Sequence, residues 1–265
     1  LDTERISRTV AEVTAVLTQR EQFFLDHGID SMATYRRRRA AGEFPDEPHG
    51  DIFLVVDGWS AVRQNFDQFI PTFNQIATSG LNYGIHLVVA TARWLELTAP
   101  VRDQSATRLE LRLGDTMDSV VDIRKAGSVP QIPGRGLTVD AKLHFLSALP
   151  RGDGSSDPET LSEGVADLVD RIATAWHGPR APQVRMLPHR LPAAELPAPE
   201  LGDGLKLALG QDEETLGTVW HDFSRTPHLV AVGDTESGKT NLLRLVADAV
   251  VARYSPTEAR ILVTD

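Results

Sequence analysis

Six of the sixteen prolines in this 265-residue chain fall between residues 179 and 199, in PRAPQVRMLPHRLPAAELPAP. Proline fixes φ and carries no amide hydrogen, so a stretch this dense in it can be neither a helix nor a central strand. It must run extended as a linker, and it divides the chain into a long part before it and a short part after it. The segment still carries apolar groups, since Val184, Met186, Leu187 and Leu191 line a stiff ribbon. Two readings stay open: a solvated spacer, and a ribbon docked in a groove of a neighbouring domain.

The short part contains GDTESGKT at 233–240, which fits the phosphate-loop pattern G-x-x-x-x-G-K-[ST]. Gly233 and Gly238 permit backbone turns that aim N–H groups at phosphate, Lys239 adds a positive charge, and the Thr240 hydroxyl suits Mg²⁺. The candidate nucleotide-binding set is Gly233, Asp234, Thr235, Glu236, Ser237, Gly238, Lys239, Thr240 and Asn241, with ATP and Mg²⁺ as the expected ligands. The flanks match the motif. HLVAVG before it reads as a strand, and TNLLRLVADAVVARY after it places Leu242, Leu243, Leu245, Val246, Ala249 and Val250 at helical spacing. LKLALGQDEETLGTVWHDF brings short strands into the loop, and ARILVTD at 259–265 reads as the next strand.

The long part alternates apolar runs with helical patterns. Ile6, Val10, Val13, Val16 and Leu17 share one helical face, and Asp30 or Ser31 can cap a second helix. DIFLVVDGW at 51–59 and GIHLVVATARW at 84–94 read as buried strands, with a helix between them around 67–79. TRLELRLG at 107–114 alternates as a strand, and GLTVDAKLHFLSAL as a hairpin. This order predicts an α/β layered sheet. IFLVVD also has the form of a strand that ends in a Mg²⁺-holding carboxylate, Asp57.

Composition narrows the classes. The formal net charge of −10 disfavours nucleic acid as a partner, because that affinity rests on clustered cations. The one basic run, RRRR at 36–39, suits the C-terminal end of a helix. The chain has no cysteine, so it holds no disulfide and no thiolate metal site. Its longest apolar runs are too short to span a bilayer. The eight histidines show no H-x₃-H or H-E-x-x-H spacing, which leaves Mg²⁺ as the expected metal.

SGLNYGIHLVVAT after the Asp57 strand, GRGL at 134–137 and GDTESGKTNLLR together resemble the FtsK/SpoIIIE-type motor ATPases. FLVVDGW, ATRLELRLGD, PGRGLTVDAKLHFLSALPR and VWHDFSRTPHLVAVGDTESGKTNLLR are similar, more closely, to the EccC ATPases of type VII secretion systems. Members of that family carry three tandem RecA-like P-loop domains on the cytoplasmic side of a membrane complex. The resemblance implies parts of two such domains: residues 1–177 as the C-terminal part of the second, 178–200 as linker, and 201–265 as the start of the third. On this reading the chain is a piece cut across a domain boundary, attached to the plasma membrane through parts outside it. The implied partners are the other ATPase domains, the membrane secretion complex and secreted WXG100-type helical-hairpin proteins, which present a C-terminal signal to a pocket on the ATPase.

One departure from the family pattern stands out. Active members follow the aspartate with a glutamate that orients the attacking water, and here Gly58 and Trp59 follow Asp57. The resemblance therefore implies a regulatory module that binds nucleotide and turns it over poorly, with no catalytic residue assigned. Thr91 stands where related ATPases place a phosphate sensor, and Arg108, Arg112 and Arg135 are candidate fingers. A DNA-translocase fragment and a non-nucleotide interaction module that keeps only the fold remain as alternatives.

Overall fold

The longest apolar periodicity builds the longest element. Val10, Val13, Val16, Leu17 and Phe24 are buried along helix α1, which runs Thr3–Asp26. The computed structural model of the chain describes residues 3–47, 50–140, 142–178, 180–200 and 204–264. Packing divides it into two compact units, Val13–Gln183 on one hand and Leu1–Glu12 with Val184–Asp265 on the other. The division falls inside α1 and inside the proline-rich segment.

In the unit Val13–Gln183, helix α2 (Met32–Ala40) starts where Ser31 accepts the Thr34 amide at 3.2 Å, which selects Ser31 over Asp30 as the cap. Phe24, Ile29, Met32 and Tyr35 form one core cluster, with Phe23, Phe44 and Tyr83 against it. Arg20 is 1% exposed and places its guanidinium on the carbonyls of Tyr83 (2.6 Å) and Gly50 (2.5 Å). These two residues lie just ahead of strands β2 (Ile85–Ala90) and β1 (Ile52–Asp57), which pair in parallel with Asp57 opposite Ala90. Between them run helices α3 (Trp59–Asn65) and α4 (Ile70–Ser79).

The two strands were expected to be buried throughout, and they are buried on one face. Leu54 and Val56 are buried while Phe53, Val55 and Val88 are exposed, because the sheet is two-stranded and packing reaches only alternate side chains. Helix α5 (Ala99–Gln104) follows. A separate three-stranded antiparallel sheet orders β3 (Leu109–Leu111), β4 (Arg135–Thr138) and β5 (His144–Leu146), with helix α6 (Ile123–Gly127) inserted. The alternation at 107–114 thus yields a strand of only three residues. Val121, Ala126, Val129 and Leu137 form the core beneath this sheet. Helix α7 (Leu161–Ala175), with Val169 and Ile172 exposed, was not foreseen.

In the other unit, β6 (Lys206–Gln211) and β7 (Thr218–Asp222) form an antiparallel hairpin against helix α8 (Lys239–Arg253). Two expected strands do not form. Residues 228–233 and 259–264 have no ladder, and Val230 and Val232 stand 81% and 92% exposed. A parallel strand exists only with hydrogen-bonding neighbours, and none is available to either segment among the described residues. Asp265 lies outside the described residues. The proline-rich segment runs extended apart from one short turn at Ala193–Glu195, and Met186 and Leu187 are half-buried. Pro179 also lies outside the described residues.

Candidate functional site

The loop 233–240 is held open by two left-handed residues. Glu236 has φ 62° and Gly238 φ 92°, and Gly238 is the N-cap of α8, so the first amides of a 15-residue helix lead out of the loop. A methyl group on Gly233 would crowd the Ser237 side chain, which would have to shift to admit it. Lys239 folds back over the loop: Nζ donates to Gly233 O (2.8 Å), Asp234 O (2.5 Å) and Ser237 Oγ (3.3 Å). The lysine is therefore aimed into the cradle, bonded to neutral carbonyls that a phosphate oxygen outcompetes as an acceptor. Asp234, Thr235, Glu236, Ser237, Thr240 and Asn241 are all exposed. These residues fit a phosphate group, and the Thr240 hydroxyl on the first turn of α8 is free to face a bound Mg²⁺.

Asp57 is exposed at the end of β1, in the other unit. Gly58 after it has φ 86° and ψ 63°, is left-handed, and begins α3. Trp59 is fully buried, stacks edge-on to Phe73 at 5.3 Å and donates Nε1 to Glu96 O at 3.0 Å. Trp59, two residues past the aspartate, thus serves packing. Thr91 is engaged by a residue that no motif marked: its hydroxyl and that of Ser60 donate to Glu96 Oε2 at 2.7 and 2.6 Å. The Ser60 and Thr91 bonds hold the Glu96 carboxyl below the usual carboxylate range. Glu96 lies six residues past the end of β2, in a single 3-10 turn at Trp94–Glu96, so nothing local announced it.

Two of the three candidate fingers are tied to their own surroundings. Arg108 bonds the carbonyls of Ser105 (2.8 Å) and Arg102 (3.3 Å) and covers the Trp94 ring, and Arg112 bonds Val129 O at 2.5 Å. Arg135 holds a buried Nε with no acceptor among the described residues. In the basic run, Arg36 grips Asp51 through two bonds (2.9 and 2.5 Å), Arg38 pairs with Glu43 at 2.6 Å, and Arg39 bonds Glu47 O at 3.1 Å. Among the described residues no group of three or more His, Asp or Glu could hold a metal, and no helix is long and apolar enough to cross a membrane.

A sequence profile of the FtsK/SpoIIIE family matches residues 1–153, more than half the chain. The chain belongs to the FtsK/SpoIIIE family. It is 52% identical to the ESX secretion system protein EccC of Thermomonospora curvata, over 100% of this chain and 20% of that protein. It is 38% identical to the ESX-1 secretion system protein EccCb1 of Mycolicibacterium smegmatis, over 99% of this chain and 45% of that one. The solved structure of T. curvata EccC ATPases 2 and 3 in complex with a signal sequence peptide superimposes with a TM-score of 0.89, covering 97% of this chain and 46% of that one. This member of the family thus has the α/β fold of EccC P-loop ATPase domains, and spans between a fifth and a half of the relatives it matches. P-loop ATPases of this kind use nucleotide and Mg²⁺ in general.

Proposed function

We propose that the chain is an ATP-binding, largely regulatory segment of a type VII protein-secretion motor. The observation that carries the proposal is the Gly233–Thr240 cradle with Lys239 turned into it, in a chain similar to EccC along its whole length. In this reading residues 1–177 belong to the second ATPase domain, 178–200 to the linker and 201–265 to the third. The loop residues and Asn241 bind the phosphates of ATP, and Lys239 supplies the charge. Thr240 holds Mg²⁺, and Asp57 is a Mg²⁺ group for its own domain. Bound Mg²⁺ would neutralise phosphate charge. The loop residues orient the phosphates and do not activate water, since the loop and Asp57 belong to different domains in this reading and Asp57 is itself followed by glycine.

The partner reading follows the T. curvata structure, whose bound ligand is a signal sequence peptide. We assign this chain the same ligand class, the C-terminal signal of a secreted helical-hairpin protein. Its place is the cytoplasmic side of a membrane complex, beside the other ATPase domains. The test is thermal stabilisation by Mg·ATP, with and without a synthetic signal peptide, in wild type and Lys239→Ala. Stabilisation by ATP lost in the variant supports the reading. No stabilisation of the wild type by Mg·ATP would favour the second reading, an interaction module that keeps only the fold, for which Gly58 is the specific observation. DNA translocation is disfavoured by the net charge of −10, and a salt-sensitive mobility shift with duplex DNA would revive it.

A further inference from the structure

Arg8 is a buried cation that the nucleotide and partner readings leave unused. It is 2% exposed on α1, in the unit of Leu1–Glu12 with Val184–Asp265. Nε donates to Arg185 O at 2.8 Å, Nη1 to Glu213 O at 3.2 Å and to Glu214 O, and Nη2 to Glu12 Oε1 at 2.5 Å. Arg185 Nε donates to the same Glu12 oxygen at 3.2 Å. One guanidinium therefore fastens three segments remote in sequence: the first turns of α1, the proline-rich segment and the β6–β7 loop.

The loop is shaped to receive it. Asp212 Oδ1 accepts the amides of Glu214 (3.0 Å) and Thr215 (2.5 Å), and Oδ2 the Thr215 hydroxyl (2.7 Å). This side-chain turn takes up the loop's amides and leaves the Glu213 and Glu214 carbonyls for an outside donor. At its other end the hairpin is bonded to α8: Arg253 Nη1 donates to Lys206 O at 3.2 Å and the Tyr254 hydroxyl to Gly204 O at 2.8 Å.

We propose that Arg8 is a latch that straps residues 184–191 to α1 and, through the β6–β7 loop, to the helix following the phosphate loop. A buried guanidinium that loses any one acceptor is left with an unpaired N–H, so the three segments hold or release together. Release exposes the half-buried Met186 and Leu187 on the strap. The latch stands on these bonds whether or not the chain binds ATP.

The test is amide hydrogen exchange, together with trypsin sensitivity, of the 265-residue chain as wild type, Arg8→Met and Asp212→Ala. Arg8→Met should speed exchange across 184–191 and tryptic cleavage after Arg185 and Arg190 about tenfold or more, as expected for a segment that opens locally. Exchange in β1 and β2 should not change. Asp212→Ala leaves the buried arginine in place and should speed exchange at 184–191 by a smaller factor, about threefold. Unchanged exchange and cleavage in a folded Arg8→Met protein overturns the latch. If Arg8→Met does not fold, Asp212→Ala decides: faster exchange at 184–191 supports the latch, and a change confined to 212–217 overturns it.

Discussion

Gly58 allows a direct test of why no glutamate follows Asp57. Its φ of 86° and ψ of 63° lie in the left-handed region, where a residue with a Cβ costs about 1–2 kcal/mol. A Cβ built there meets nothing within 4 Å, so packing adds no penalty. Any replacement also narrows the unfolded ensemble, which offsets about 0.4–1 kcal/mol. The expected net cost of Gly58→Ala is about 0.5–1 kcal/mol, and Gly58→Glu should match it. Gly58→Asn should cost less, because asparagine tolerates the left-handed region and is a good N-cap for α3. In a unit of this size each kcal/mol moves the melting temperature by roughly 2–4 °C. Urea denaturation followed by far-ultraviolet circular dichroism would rank the variants as glycine, asparagine, then alanine and glutamate together. An alanine variant as stable as wild type, or an asparagine variant less stable than the alanine variant, would refute the argument. The backbone, on this account, and not only the missing carboxylate, keeps a water-orienting group away from Asp57.

Other outcomes follow from the same bonds. Lys239→Ala should weaken Mg·ATP binding by roughly 1.5–3 kcal/mol through loss of a charge-assisted phosphate contact, read by calorimetry; equal affinity would remove the lysine from the site. Phosphate release by the purified chain should stay at background, and robust turnover abolished by Lys239→Ala would show that the loop and Asp57 complete one working site despite Gly58. Arg36 first, and His86 after it, hold the Asp51 carboxyl down to about 2 from its ordinary 3.8. A carboxyl depressed on folding stabilises above its unfolded value, and that contribution is lost as pH falls toward 2. Asp51→Asn should therefore be less stable than wild type at pH 5–7 and converge with it near pH 2, followed by urea melts; a gap that persists unchanged at pH 2 contradicts the assignment. Replacing Met186 and Leu187 together by serine should raise protease cleavage in the linker, whereas an unchanged pattern favours a solvated spacer.

Local signals in the sequence were enough for much of this architecture. The apolar spacing of α1, the Ser31 cap, the Asp57 strand and the sharp turn of GDTESGKT at Gly238 are each decided within a few residues, where sequence neighbours are also spatial neighbours. The proline-rich segment belongs with them, because proline acts on its own backbone.

Three matters were decided only by tertiary structure. Residues 228–233 and 259–264 have strand composition and no ladder, since a strand needs partners that its own residues do not supply. The packing role of Trp59 and the capture of Thr91 by Glu96 depend on a loop folding back over the ends of β1 and β2. Arg8 and Arg20 look in sequence like any helix-surface arginines. They are buried because backbone carbonyls of Arg185, Glu213, Glu214, Tyr83 and Gly50 meet them, and a carbonyl is the one group every residue carries, so its position leaves no mark in the sequence.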